Sequence, residues 1–182
     1  MGLFTGLAAA ALVLGVLIYN TLVARKNEVK NSLATIDAML KKRFDLLPNL
    51  IATAKESMKF ETSTLERVIQ LRSGSAPTLP QVQKLDAEST QALRGFMLQM
   101  EAYPDLKSSQ NLVQIQTALH EVEDQLAAAR RSYNASVTNY NNALEMFPTN
   151  LVAGMLSYQP AGLLEIPEIE KRNVNVAELF KA

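Results

Sequence analysis

The chain has 182 residues, with 18 Lys and Arg balanced by 18 Asp and Glu, one His and no Cys. A Cys-free chain excludes disulfides, thiolate metal sites and a cysteine nucleophile, and a lone imidazole, His120, excludes a multi-His metal centre. Interleaved charges of zero net sum argue against a nucleic-acid surface, so no nucleic-acid partner is expected.

The first element is Gly2 to Ala24, which carries no charged residue. At ~1.5 Å per helical residue it covers about 34 Å, slightly more than the roughly 30 Å hydrocarbon core of a bilayer. Residues 1–24 therefore read as a membrane-spanning helix, with the lipid bilayer as the first partner. A cleaved signal would need a basic start, a shorter apolar stretch and a break after it. Here no Lys or Arg comes first, and a charged helical pattern follows with neither Gly nor Pro between. A myristoylation signal fails because Gly6 stands where Ser or Thr is required. Arg25, Lys26 and Lys30 lie just after the span, so the positive-inside rule leaves the C-terminal part on the cytoplasmic side of the cell (inner) membrane.

Beyond the span the helical pattern continues. Val29, Leu33, Ile36, Leu40, Phe44, Leu47, Ile51, Ala54, Met58, Leu65 and Val68 recur mostly at steps of three and four, predicting a helix over 25–72 continuous with the span. The step 36, 40, 44 is a stutter in the apolar seam, and Pro48 follows it, which predicts a kink near Phe44 to Pro48 with no end to the helix. Ser73 to Pro80 reads as a loop with Thr78 as N-cap, and a second helix over 79–103 ends at Pro104. A third helix over 108–147 carries a heptad pattern: Leu112, Leu119, Leu126, Tyr133, Tyr140, Phe147 on one position and Ile115, Val122, Ala129, Ser136, Ala143 on the other. Pro148 stops it. A short helix over 150–156 and a mostly extended tail over 157–182, with one further turn at Val176 to Phe180, complete an all-α bundle of up-down type.

At this point the residues resemble the bacterial LemA family, from the span to about Leu156. The phrases that carry the resemblance are RFDLLPNL at Arg43 to Leu50, YPDLK at Tyr103 to Lys107, the run from Glu123 to Asn134 with Arg130 and Tyr133, and YN followed by FP from Tyr140 to Pro148. Ser157-Tyr158 departs from a Gly-Phe pair frequent in that family. The resemblance implies one N-terminal membrane helix bearing an antiparallel helical bundle and no established catalytic activity; no cofactor is expected.

Those phrases place polar residues in apolar company. Arg43, Asp45 and Asn49 bracket Pro48, while Tyr133 with Tyr140 and Asn134 with Asn141 lie seven apart on the third helix, beside Glu123 and Arg130. One reading is an internal network in which groups of the first helix satisfy the Tyr hydroxyls, Glu123 or the carbonyls freed by Pro48, because buried polar groups must be paired. The other is a ligand or partner site at the kink. No Ser-His-acid set and no Gly-rich phosphate loop is present, so no catalytic, cofactor or metal residue is assigned.

Helix lengths of about 72, 36 and 58 Å do not match. If the second helix descends from the top of the first, the seam of Leu112, Ile115, Leu119, Val122, Leu126, Ala129 and Phe147, and the stripe from Val29 to Leu40, overhang and leave apolar surface for self-association, unless the tail covers them. The expected function is a non-enzymatic scaffold that forms homo-oligomers at the membrane and organises or shapes it. The alternative is a regulatory adaptor that presents its helical groove to a signalling or proteolytic partner.

Overall fold

The computed structural model describes residues 1–57, 78–103 and 109–165. Four helices and no strand occur among these residues. The helix α1 runs from Gly2 to Ser57 through Pro48, so the charge-free segment and the first bundle helix form one rod of 56 residues, about 84 Å long. Residues 58–72, expected to extend it, lie outside the described residues, as do YPDLK beyond Tyr103 and the turn at 176–180.

Thr78 opens α2, Leu79–Met100. Its backbone N–H and hydroxyl both donate to Gln81 Oε1, at 3.2 and 2.9 Å, and Pro80 occupies the first turn, where its missing N–H costs nothing. The helix α3 spans Gln110–Glu145 and α4 spans Thr149–Met155. Because α3 ends at Glu145, Phe147 leaves the heptad seam for the connection to α4, where it is 78% exposed.

Cross-links between helices fix their directions. Ser32 meets Ser136 at 3.0 Å, Lys42 meets Gln125 and Arg43 meets Glu123, so α1 and α3 are antiparallel. Arg130 binds Asp86, and Gln116 reaches Met97 and Met100, so α2 is antiparallel to α3. It follows that α2 runs parallel to α1 and does not descend along it as helix lengths alone suggested. The reason is ionic: Asp86 must lie level with both Arg43 and Arg130, and only this direction also lays Met97 and Met100 beside Gln116.

One apolar core results, from Ile36, Leu40, Phe44 and Leu47 of α1, Val82, Leu93 and Phe96 of α2, and Leu112, Leu119 and Leu126 of α3. The heptad seam expected to mediate self-association is therefore spent inside the chain: Leu112, Leu119, Val122, Leu126 and Ala129 are buried and Ile115 packs against the core. The stripe expected to overhang on α1 is also covered, since Ile36 and Leu40 are buried and Val29 and Leu33 are partly so. The upper part of the tail's described stretch, Gln159 to Leu164, climbs back along α3 and brings Leu164 into the core.

Candidate functional site

Two polar constellations sit in this frame. The first joins all three long helices. Arg43, fully buried on α1, donates from Nη1 to Asp86 Oδ1 at 3.1 Å, Ser89 Oγ at 2.8 Å and Thr90 Oγ1 at 3.2 Å, and from Nη2 to the Glu123 carboxylate. Arg130 of α3 forks onto the same Asp86, with Nε to Oδ2 at 3.0 Å and Nη2 to both oxygens at 2.6 Å. Two guanidinium groups and two carboxylates make the cluster formally neutral, which is the condition under which charges survive burial. Asp86 is the hub, held by both arginines, whereas the Glu123 side chain is 40% exposed and partly solvated.

The second constellation lies on α3 nearer its C-terminal end. Tyr133 and Tyr140 donate their hydroxyls to the carbonyls of Gly162 and Gln159 at 2.9 and 3.0 Å. Asn134 and Asn141 each grip one residue of the tail by both backbone groups. Asn134 Nδ2 donates to Leu164 O and accepts from Leu164 N–H, at 3.0 and 2.8 Å. Asn141 does the same with Ala161, at 3.0 and 2.9 Å. The heptad spacing stacks these pairs one above the other along a helix face, so together they form a ladder that supplies an extended strand with the hydrogen bonds a neighbouring strand would give. The ladder also sets a limit on side-chain size, because a Cβ on Gly162 would lie 3.3 Å from Leu79 Cδ2 of α2.

Burial pushes the Tyr133 phenol above its ordinary value of 10.0. Tyr140 moves the same way, through burial first and the neighbouring Tyr158 second. Both are neutral donors throughout the physiological range.

Sequence reasoning grouped ten residues at the proline of α1, and the structure divides them. Arg43, Glu123 and Arg130 meet in the ionic cluster, and Tyr133, Asn134, Tyr140 and Asn141 form the ladder. Asp45, Pro48 and Asn49 are exposed, on the opposite side of α1 from Arg43, so the polar groups do not converge at Pro48. The Tyr hydroxyls go to the tail carbonyls of Gly162 and Gln159 and not to the first helix, since an extended backbone packed on a helix needs side-chain donors for its carbonyls. The residues missed were Asp86, Ser89 and Thr90. A signal for the first two existed: Val82, Asp86, Ser89, Leu93, Phe96 and Met100 fall on one stripe at helical spacing, and a polar residue on a core stripe implies a buried partner.

Among the described residues no group of three His, Cys, Asp or Glu is placed to hold a metal ion. What remains is a class: an all-α bundle mounted on one long N-terminal helix whose first part is long and apolar enough to cross a membrane, and pinned internally by ions and an asparagine ladder. The family model of the LemA family matches residues 32–177, so the chain belongs to that family. It is 32% identical over 165 residues to Protein LemA of Metamycoplasma hominis, covering 88% of this chain and 74% of that one. It is also 24% identical over 173 residues to Magnetosome protein MamQ 2 of Paramagnetospirillum magneticum, and 22% identical over 169 residues to Magnetosome protein MamQ of Magnetospirillum gryphiswaldense. The chain spans 63% and 62% of the length of these two MamQ relatives.

Proposed function

We propose that this LemA-family chain is a non-enzymatic scaffold, anchored in the cell (inner) membrane by the start of α1, that self-associates and organises the membrane from its cytoplasmic side. The observation that carries this reading is the continuity of α1 from Gly2 to Ser57. A bundle joined to its anchor by an unbroken helix cannot swing as a tethered enzyme does; it is held at one height above the bilayer, which repeated lateral contacts between copies require. With the heptad seam buried, those contacts belong to the outer surfaces of the bundle and to the span.

Mass and shape of the full-length protein in mild detergent, by light scattering and negative-stain microscopy, test the proposal. Large regular particles are the expected result. A small oligomer that retains a second polypeptide would move the reading to a regulatory adaptor, and a bare monomer would end the scaffold reading. Sidedness is read separately from a Cys introduced at Ser109, which should resist an impermeant thiol reagent in intact cells.

A further inference from the structure

The lower end of the molecule carries an apolar surface that the bundle does not use. Where α3 turns into α4, Met146, Phe147, Leu151, Met155 and Leu156 are exposed, Met155 to 86%. No charged residue occurs between Glu145 and Glu165. An uncharged stretch with this many exposed large apolar side chains marks a surface that is covered in use.

The height of this corner says what covers it. The buried face of α4 packs on Ile18 and Leu22 of α1: Ala153 forms a small separate core with them, joined by Ala143, Leu144, Val152 and Tyr158. Ile18 and Leu22 belong to the charge-free segment that ends at Ala24. Along a helix they lie about 10 Å and about 4 Å on the membrane side of Arg25. The deeper of the two, Ile18, falls at the roughly 5–10 Å depth to which an amphipathic helix settles at the boundary of headgroups and acyl chains. Directly above, Lys26 Nζ stands 5.1 Å from the centre of the Tyr158 ring, a cation and an aromatic at the level where both are favoured in a bilayer interface.

Several backbone N–H groups of the corner are satisfied from within, as lipid requires of polar groups. Met146 N–H donates to Asn142 O at 2.9 Å, Asn150 N–H to Met146 O at 2.8 Å, Leu156 N–H to Val152 O at 3.1 Å and Tyr158 N–H to Ala153 O at 3.0 Å. The Thr149 hydroxyl donates to Met146 O at 2.8 Å.

We propose that the corner from Met146 to Leu156 is embedded in the bilayer interface, with Phe147, Leu151 and Met155 facing acyl chains, so that the protein grips the membrane at two points: the span and this wedge beside it. The inference rests on α1 being a membrane anchor, and goes beyond it. A second apolar foot in one leaflet fixes the rotation of the bundle about α1 and adds volume to that leaflet alone.

The chain contains no Trp, which gives a direct test. Full-length variants with single substitutions Phe147→Trp, Met155→Trp, Leu12→Trp and Val113→Trp are reconstituted in bilayers whose lipids carry bromine on the acyl chains. Val113, exposed on the first turn of α3 at the far end of the bundle, reports the aqueous side. The proposal expects emission from Phe147→Trp and Met155→Trp that is blue-shifted relative to Val113→Trp and quenched to an extent approaching Leu12→Trp. Red-shifted, unquenched emission at both corner positions, with Leu12→Trp quenched, overturns the wedge and leaves the anchor standing. Blue-shifted but unquenched emission at the corner overturns it in favour of cover by a second copy of the chain. An unquenched Leu12→Trp removes the anchor and the wedge together.

Discussion

The ionic cluster and the asparagine ladder bury polar groups by opposite means. The cluster joins three helices that already satisfy their own backbones, so its bonds run from side chain to side chain and involve full charges. The ladder receives a segment with no secondary structure, so its bonds run from neutral side chains to backbone N–H and C=O groups. The contrast assigns the two networks different work. Charge pairing sets the relative direction of the helices, while amide pairing fixes the tail along α3.

Breaking the hub of the cluster should have the largest effect. Asp86→Ala removes the carboxylate that Arg43 and Arg130 share, and loss of one member of a buried ion pair costs about 3–5 kcal/mol. Urea unfolding of the full-length protein in detergent should show that loss; a change no larger than that of Glu123→Ala, whose partner remains paired to Asp86, would mean that the cluster is more solvated than its burial implies.

The ladder should give a smaller, local effect. Asn134→Ala leaves the N–H and C=O of Leu164 without partners, at about 1–3 kcal/mol for a buried group, and Asn141→Ala does the same at Ala161. Combining the two should cost less than the sum of the singles, because once one rung is lost the strand detaches in part and the other rung is already weakened. Hydrogen exchange is expected to rise at Ala161 and Leu164 while the amides of α2 stay protected. Exchange rising equally in α2 would refute the separation of the two networks.

The smallest effect is in pH. The folded-state pKa of Tyr133 and of Tyr140 is raised above 10.0, so the folded chain holds these protons more tightly than the unfolded chain. Their contribution is full below that value and is lost as pH rises through the raised one. Stability should be level near neutrality and fall above pH 10.0, and Tyr133→Phe with Tyr140→Phe should flatten the alkaline fall at the cost of a lower plateau.

Much of the site was legible in residue types. Arg43, Glu123 and Arg130 stood out through the phrases that carry the family resemblance, and the seven-residue repeat of Tyr-Asn on α3 announced a stripe with one purpose. The partners of that stripe were not legible, because the atoms it binds are backbone groups of Gln159 to Leu164, and every residue has those. Pro48 drew attention away from them: a proline inside a helix signals a local backbone defect, yet Pro48 and Asn49 lie on the exposed side of α1.

By itself the sequence determined the helices, the continuity of the charge-free segment with the bundle and the polar residues that require partners. These follow from local periodicity, from the cap at Thr78 and from the lack of Gly or Pro between Gly15 and Pro48, all of which act within a few residues along the chain. Only the tertiary structure decided that α2 runs parallel to α1, that the heptad seam of α3 is consumed inside the chain, and that α4 rests on Ile18 and Leu22. Those outcomes depend on which distant surfaces meet. An apolar stripe is equally satisfied by a neighbour in the same chain, a second copy or lipid, so its pattern alone does not distinguish them.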